Sequence, residues 1–221
     1  MRLTATFNSS RGHAGFTLTE VLVATTLTLV AMSGFLSFNR YQLLTLRNQA
    51  NQIDVQTTAR NVVDLFAREV RRAGMNPNCD IANFSGIADA RSYSIRVQAD
   101  LNNSGQHLGP NEDLTYTYNY SAKTVQRIDN NNWSNTDTLL SDVDLSGSSI
   151  RYFDGSGTEL VPTSGSLSAT DRSAIRRVRL QLSLRSQAAD PLNGAAPSAQ
   201  VATDVDLRNR FFIASTKCPG S

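Results

Sequence analysis

Glu20 is the one charge in the stretch Phe16–Asn39, which is otherwise apolar or uncharged, mostly Leu, Val, Thr, Ser, Phe and Ala. A carboxylate at the centre of an apolar helix disfavours membrane insertion by about 2.5–3.5 kcal/mol. An acid kept in such a place usually has a partner. A second group of chemically capable residues lies at Asp100-Leu101-Asn102-Asn103-Ser104-Gly105, followed by Glu112 and Asp113. Here oxygen donors alternate along the chain before a glycine, an arrangement that suits a hard cation such as calcium. Asp100, Asn102, Ser104, Glu112 and Asp113 are the candidate ligands. Glu112 is the thirteenth residue counted from Asp100, whereas an EF-hand uses the twelfth, so this is not an EF-hand. The competing reading is an Asn/Ser-rich hairpin loop that holds no metal. The remaining reactive groups are two thiols, Cys79 and Cys218, and two imidazoles, His13 and His107.

Several functions are excluded by what is scarce. With 21 Lys+Arg against 19 Asp+Glu the net charge is +2, too neutral for a surface that must neutralise many phosphates, so nucleic-acid binding is not expected. Two cysteines and two histidines are too few for a clustered zinc or iron–sulfur site. No G-x-S-x-G, phosphate-cradling glycine loop or H-E-x-x-H occurs, and the dispersed aspartates offer no defensible carboxylate pair. The chain reads as a non-enzyme.

The element that must carry Glu20 is a helix. The uncharged run Val21–Asn39 is 19 residues, about 28 Å as a helix and close to the thickness of a hydrocarbon core. Residues 1–15 carry Arg2 and Arg11 and no acid, which predicts a cytoplasmic amino end. Three readings compete: a plain signal anchor, a secretory signal peptide cut near Ala31-Met32-Ser33, and a processed precursor that uses the acid. Glu20 disfavours the first two, and the apolar character continues through Phe35, Leu36 and Phe38, past the supposed cut.

The string Gly15-Phe16-Thr17-Leu18-Thr19-Glu20 resembles the prepilin peptidase site of the type IV pilin superfamily, G-F-T-L-x-E. The resemblance implies cleavage between Gly15 and Phe16, N-methylation of the new terminal Phe16, and an assembly role for Glu20, which becomes the fifth residue of the mature chain. Loss of the leader leaves 19 basic and 19 acidic side chains. A carboxylate in lipid and a terminal ammonium on a neighbouring subunit satisfy each other at one axial stagger, and repetition of that contact without closure builds a helical filament.

The helix continues beyond the apolar run. Val55, Ala59, Val62, Phe66, Val70 and Ala73 recur at steps of three and four, widened by Ile53, Val63 and Leu65. Arg47, Asp54, Arg60, Asp64, Arg68, Glu69, Arg71 and Arg72 are assigned to the rest of the surface. Gly74 fits a helix stop and Pro77 forbids continuation, so one helix is expected over Phe16–Ala73, with Gly34 as a place to bend. The stretch 61–74 resembles the L-x-R-D-L/I-R-x-A-G segment of PilW-like minor pilins and J-type pseudopilins of type II secretion, with Arg68, Glu69, Arg71, Ala73 and Gly74 in the matching places. Glu69 stands where Asp is usual. Leu207-Arg208-Asn209 resembles the L-R-N near the end of PilW-like proteins.

The rest reads as strands. Tyr93/Ile95/Val97/Ala99 alternate, as do Leu114/Tyr116/Tyr118/Tyr120. Val125 and Ile128 are placed on a return strand. Ile150, Tyr152 and Phe153 precede a turn at 154–157, with Leu160–Val161 after it. Val178/Leu180/Leu182/Leu184 and Val201/Thr203/Val205/Leu207 complete the set. The predicted fold class is α+β: a long amino-terminal helix packed on an antiparallel β-sheet head, the pilin lollipop. Its parts are a leader (1–15), a membrane and assembly half of the helix (16–39), an amphipathic half (40–74) and a β-rich periplasmic head (75–221).

The resemblance implies a minor pilin that helps initiate a type IV pilus near its tip, or else a type II secretion pseudopilin. A membrane-anchored periplasmic binding module is the other class of function. Implied partners are other major and minor pilins, prepilin peptidase, the inner-membrane assembly platform and the membrane itself. The implied location is the inner membrane with the head in the periplasm, and the cell surface once in a fibre. In that oxidising compartment Cys79 and Cys218 are expected to pair, closing a loop of 139 positions; two buried free thiols are the alternative. The strand–D-L-N-x-x-G–acid–T-Y layout around Asp100 also resembles PilW-like heads, and calcium sites occur among pseudopilins.

Overall fold

A computed structural model of the chain describes residues 15–79, 81, 84, 86–132, 135–163, 165–186, 189, 194–196 and 198–209. Two compact units divide it, Met1–Leu46 and Arg47–Ser221. In the first, the non-helical Gly15, Phe16 and Thr17 lead into one helix, α1, which runs over Leu18–Arg71 and passes Gly34 without interruption. Most apolar side chains of this half lie open, among them Leu22, Leu29, Val30, Phe35 and Phe38. The described residues hold one helix long and apolar enough to cross a membrane, and it is this one.

In the second unit the remainder of α1 joins a core with two antiparallel sheets. The first is a five-stranded meander in chain order: β1 (Ile87–Arg91), β2 (Ser94–Gln98), β3 (Asp113–Asn119), β4 (Thr124–Asp129) and β5 (Thr136–Leu140). The second, ordered β7-β6-β8-β9, contains β6 (Ser149–Phe153), β7 (Glu159–Leu160), β8 (Arg177–Arg185) and β9 (Ser198–Asp206). A short helix, α2 (Ala169–Ala174), is started by Ser168, whose hydroxyl accepts from the Asp171 amide. The α+β class is as predicted, with two sheets where a single meander was expected.

The alternating runs fold as their period demands. Val178, Leu180, Leu182 and Leu184 are buried, and β8 pairs β9 through nine consecutive residues without a bulge. Arg177 and Arg179, on the opposite face, reach Asp206 and Asp204 across that pair at 2.9 and 2.7 Å. Ala59, Val62, Val63, Phe66 and Val70 are buried on α1, as is Ala73 in the turn after it, and the Phe66 ring meets Tyr116 edge-on at 5.1 Å between centroids. Ile53, however, is exposed. Tyr120 leaves the β3 alternation for the turn, where its ring stands edge-on to Tyr93.

Three elements escape a sequence reading, each for a physical reason. A register shift between Ile87 and Asp89 breaks the alternation of β1. The first three residues of β5 are exposed, on an outer strand of the meander, so no apolar period marks them. At six residues, α2 is too short to display one. On β4, Val125 and Ile128 have opposite parity and cannot share a face. Val125 is buried with Arg127 and Asp129, and Ile128 points outward, half-exposed.

The end of α1 is fixed by a close approach. Gly74 has φ +80° and stops the helix, and its amide donates to the Gln98 carbonyl at 2.9 Å. Gly86, at φ +71°, lies so near that a Cβ there would stand 2.1 Å from the Gly74 nitrogen. The Asn209 side-chain amide donates to the Arg71 carbonyl at 3.2 Å, an acceptor of the helix end, and at 3.3 Å to the Arg72 carbonyl, which also takes the Met75 amide.

Candidate functional site

The amino-terminal site begins where the helix does. Gly15, Phe16 and Thr17 are non-helical and exposed, and the first helical residue is Leu18. Thr17 therefore occupies the N-cap, and Glu20 sits three residues on. Glu20 Oε2 accepts from both the Thr17 amide and the Thr17 hydroxyl, each at 2.9 Å. In return the Glu20 amide donates to Thr17 Oγ1 at 3.3 Å. This reciprocal pairing is a capping box. One of the two Glu20 carboxylate oxygens is thus already held within the chain.

The hydroxyls of the apolar half are satisfied in the same self-contained way. Thr25, Thr26, Thr28, Ser33 and Ser37 donate to carbonyls three or four residues earlier on the same helix, at 2.7–3.1 Å. A Thr- and Ser-rich helix thus exposes little unmet polarity along its length.

In the head, the candidate calcium loop is organised by its acids. Asp100, Glu112, Asp113 and Asp129 are all buried. Asp100 accepts from the Ser104 and Gly105 amides at 3.1 and 3.0 Å. Glu112 accepts from Leu101, Asn102 and Gly109, at 2.9, 3.0 and 2.6 Å. Asp129 accepts from Asn111 and Asn131, at 2.9 and 3.1 Å. Asn102 Oδ1 takes the Ser104 amide, and the Ser104 hydroxyl donates to the Gln106 carbonyl. The oxygens of Asp100, Asn102 and Glu112 thus meet main-chain N–H groups. Among the described residues no group of three or more His, Cys, Asp or Glu could hold a metal ion. Of the residues named for calcium, Asp100, Asn102 and Glu112 are engaged by main-chain N–H groups of the loop, the Ser104 hydroxyl by a carbonyl, and Asp113 by side chains outside it.

Asp113 faces elsewhere, away from Asp100. It takes a two-pronged contact from Arg96 at 2.7 Å on each arm, and further bonds from Gln98 at 2.6 Å and Asn130 at 2.7 Å. Burial alone would raise its pKa, but these donors outweigh burial and hold the carboxyl below the usual range.

A polar cluster between α1 and the meander has no counterpart in the sequence reading. Glu69 points inward, not to solvent. The Arg127 guanidinium grips it through Nε (3.0 Å to Oε2) and Nη2 (2.9 Å to Oε1), and the Tyr116 hydroxyl donates to Oε2. Arg127 Nη2 also reaches Asn111 Oδ1 at 2.5 Å, and Nη1 lies 3.5 Å from Asp137. Burial first, and the Glu69 charge second, push the Tyr116 phenol well above its ordinary value. The signal was present in spacing: residues 62, 66, 69 and 73 follow one helical stripe, and an acid in that stripe needs a buried cation.

Of the sequence-predicted residues, Gly15, Phe16 and Glu20 lie together at the start of α1. Cys79 falls after its end, with φ +62°. Cys218, the other half of the expected pair, lies outside the described residues, as does His13. Residues 10–36 match the family described as the prokaryotic N-terminal methylation motif. No curated protein and no solved structure matches the chain.

Proposed function

From the premise that the amino terminus is that of a type IV pilin-like prepilin, we propose that the chain is a minor pilin of the PilW-like kind, which helps to initiate a fibre near its tip. It is inserted through α1, cut between Gly15 and Phe16, and N-methylated on Phe16. Glu20 then accepts the terminal ammonium of a neighbouring subunit. Partners are other major and minor pilins, prepilin peptidase and the inner-membrane assembly platform. The head faces the periplasm, and the cell surface once the subunit is in a fibre, with Cys79 bonded to Cys218. It has no catalytic role.

The observation that carries this reading is the match over residues 10–36, joined to an acid at the start of an open apolar helix. The segment from Arg68 to Gly74 supports the PilW-like assignment over a generic pilin. Mass spectrometry of the native product tests the processing: a mature chain beginning with N-methyl-Phe16 is expected, and an uncut leader or a downstream terminus refutes the reading. Glu20→Val is expected to be cut normally and to be excluded from fibres; normal incorporation refutes the assembly role. Co-purification with pilus subunits, not with secretion pseudopilins, separates the two machines.

A further inference from the structure

The capping box divides the work of the Glu20 carboxylate between its two oxygens. Oε2 receives both Thr17 donors. Among the described residues nothing donates to Oε1. We infer that Thr17 is a positioning residue for assembly: it fixes the Glu20 side chain through Oε2 and leaves Oε1 as the acceptor for the incoming amine. This rests on the assembly role proposed for Glu20 and adds to it.

Three consequences of the geometry support the assignment. A free glutamate must order its side-chain torsions when it pairs, and that ordering opposes association. Thr17 imposes the order beforehand. A carboxylate waiting in lipid also needs donors, and two are supplied from within the same turn, so the unassembled subunit does not carry a bare anion. Finally, the cap need not open on assembly. A protonated N-methylated amine has two N–H groups, and one of them bonding Oε1 leaves both Thr17 bonds intact. The Thr17 amide survives any side-chain change, so the hydroxyl is the part that substitution isolates.

The test uses the full chain in its own membrane. Thr17→Val keeps shape and amide but removes the hydroxyl; Thr17→Ser keeps the hydroxyl. Membrane level is expected to be unchanged in both, and incorporation is scored per cleaved subunit. Incorporation into sheared fibres is expected to fall roughly tenfold in Thr17→Val, the scale of one hydrogen bond to a charged group, and to recover in Thr17→Ser. A second readout follows the acid itself. With carboxyl-¹³C glutamate in the full chain in phosphatidylcholine vesicles, the Glu20 resonance is one of four and is assigned by its loss in Glu20→Gln. It is expected to shift in Thr17→Val and to stay put in Thr17→Ser. Wild-type incorporation of Thr17→Val, failure of Thr17→Ser to rescue, an unmoved Glu20 resonance, or a Thr17→Val chain lost before cleavage each overturns the inference. Glu20→Val keeps the two levels apart: if it assembles, the assembly role falls; if it is excluded while Thr17→Val assembles, only the role of Thr17 falls.

Discussion

At the scale of single residues, two buried acids do different work. Glu69 and Arg127 are a closely held pair, with side chains 13% and 8% exposed. Removing one partner strands the other charge, and such losses run to about 3–5 kcal/mol. Glu69→Ala is therefore expected to lower head stability by that amount in denaturant unfolding, with Arg127→Ala similar and the double variant far short of additive. Asp113 is an electrostatic case. Its carboxyl titrates below the ordinary value of 3.8 when folded, so its contribution is full above that value and is lost as pH falls through the lower folded one. Asp113→Asn is expected to flatten the fall of the melting temperature below about pH 4, measured against the wild-type chain from pH 7 to pH 2. An acid limb of undiminished slope would assign that titration to other groups.

At the scale of elements, two predictions follow from how ends and loops are tied. Gly86→Ala places a Cβ against the Gly74 nitrogen and forces a left-handed residue to carry a side chain. The cost is expected to be about 3–5 kcal/mol, overpacking and backbone strain together, read as a lower unfolding midpoint. The 100–112 loop spends its carboxylates on amides, so neither millimolar calcium nor a chelator is expected to move the melting temperature; a clear rise with calcium would favour the metal reading instead. Elements with strong periods were legible beforehand. The α1 stripe, β8 and the stop at Gly74 followed from 3.6- and two-residue patterns. β1, β5 and α2 were not, because a bulge, an exposed strand and a six-residue length erase such patterns. The loop acids were recognised as oxygen donors in the right order, yet order alone does not say whether a carboxylate meets a cation or an N–H.

At the scale of the whole molecule, the amino-terminal motif carried most of what could be read about role, because a methylation motif is a run of adjacent residues. The head's internal ties were less legible, since they join distant positions: Glu69 with Arg127, Asp89 with Ser166, Asn209 with Arg71. A single chain without pairing information shows only that such groups exist. The expected Cys79–Cys218 bond belongs here too. Replacing both by Ser is expected to cost about 2–5 kcal/mol, and the stability of the wild type should then depend on reductant. A wild-type midpoint indifferent to reductant would point to free thiols.

The Asn209 contact also sets a clock. Synthesis runs from the amino end, and 138 positions separate this amide from the Arg71 carbonyl it reaches. At 5–20 residues per second the donor emerges roughly 7–28 s after its acceptor. Throughout that interval the last turn of α1 waits without its side-chain cap, and a nascent chain arrested short of residue 209 should show a helix that frays there.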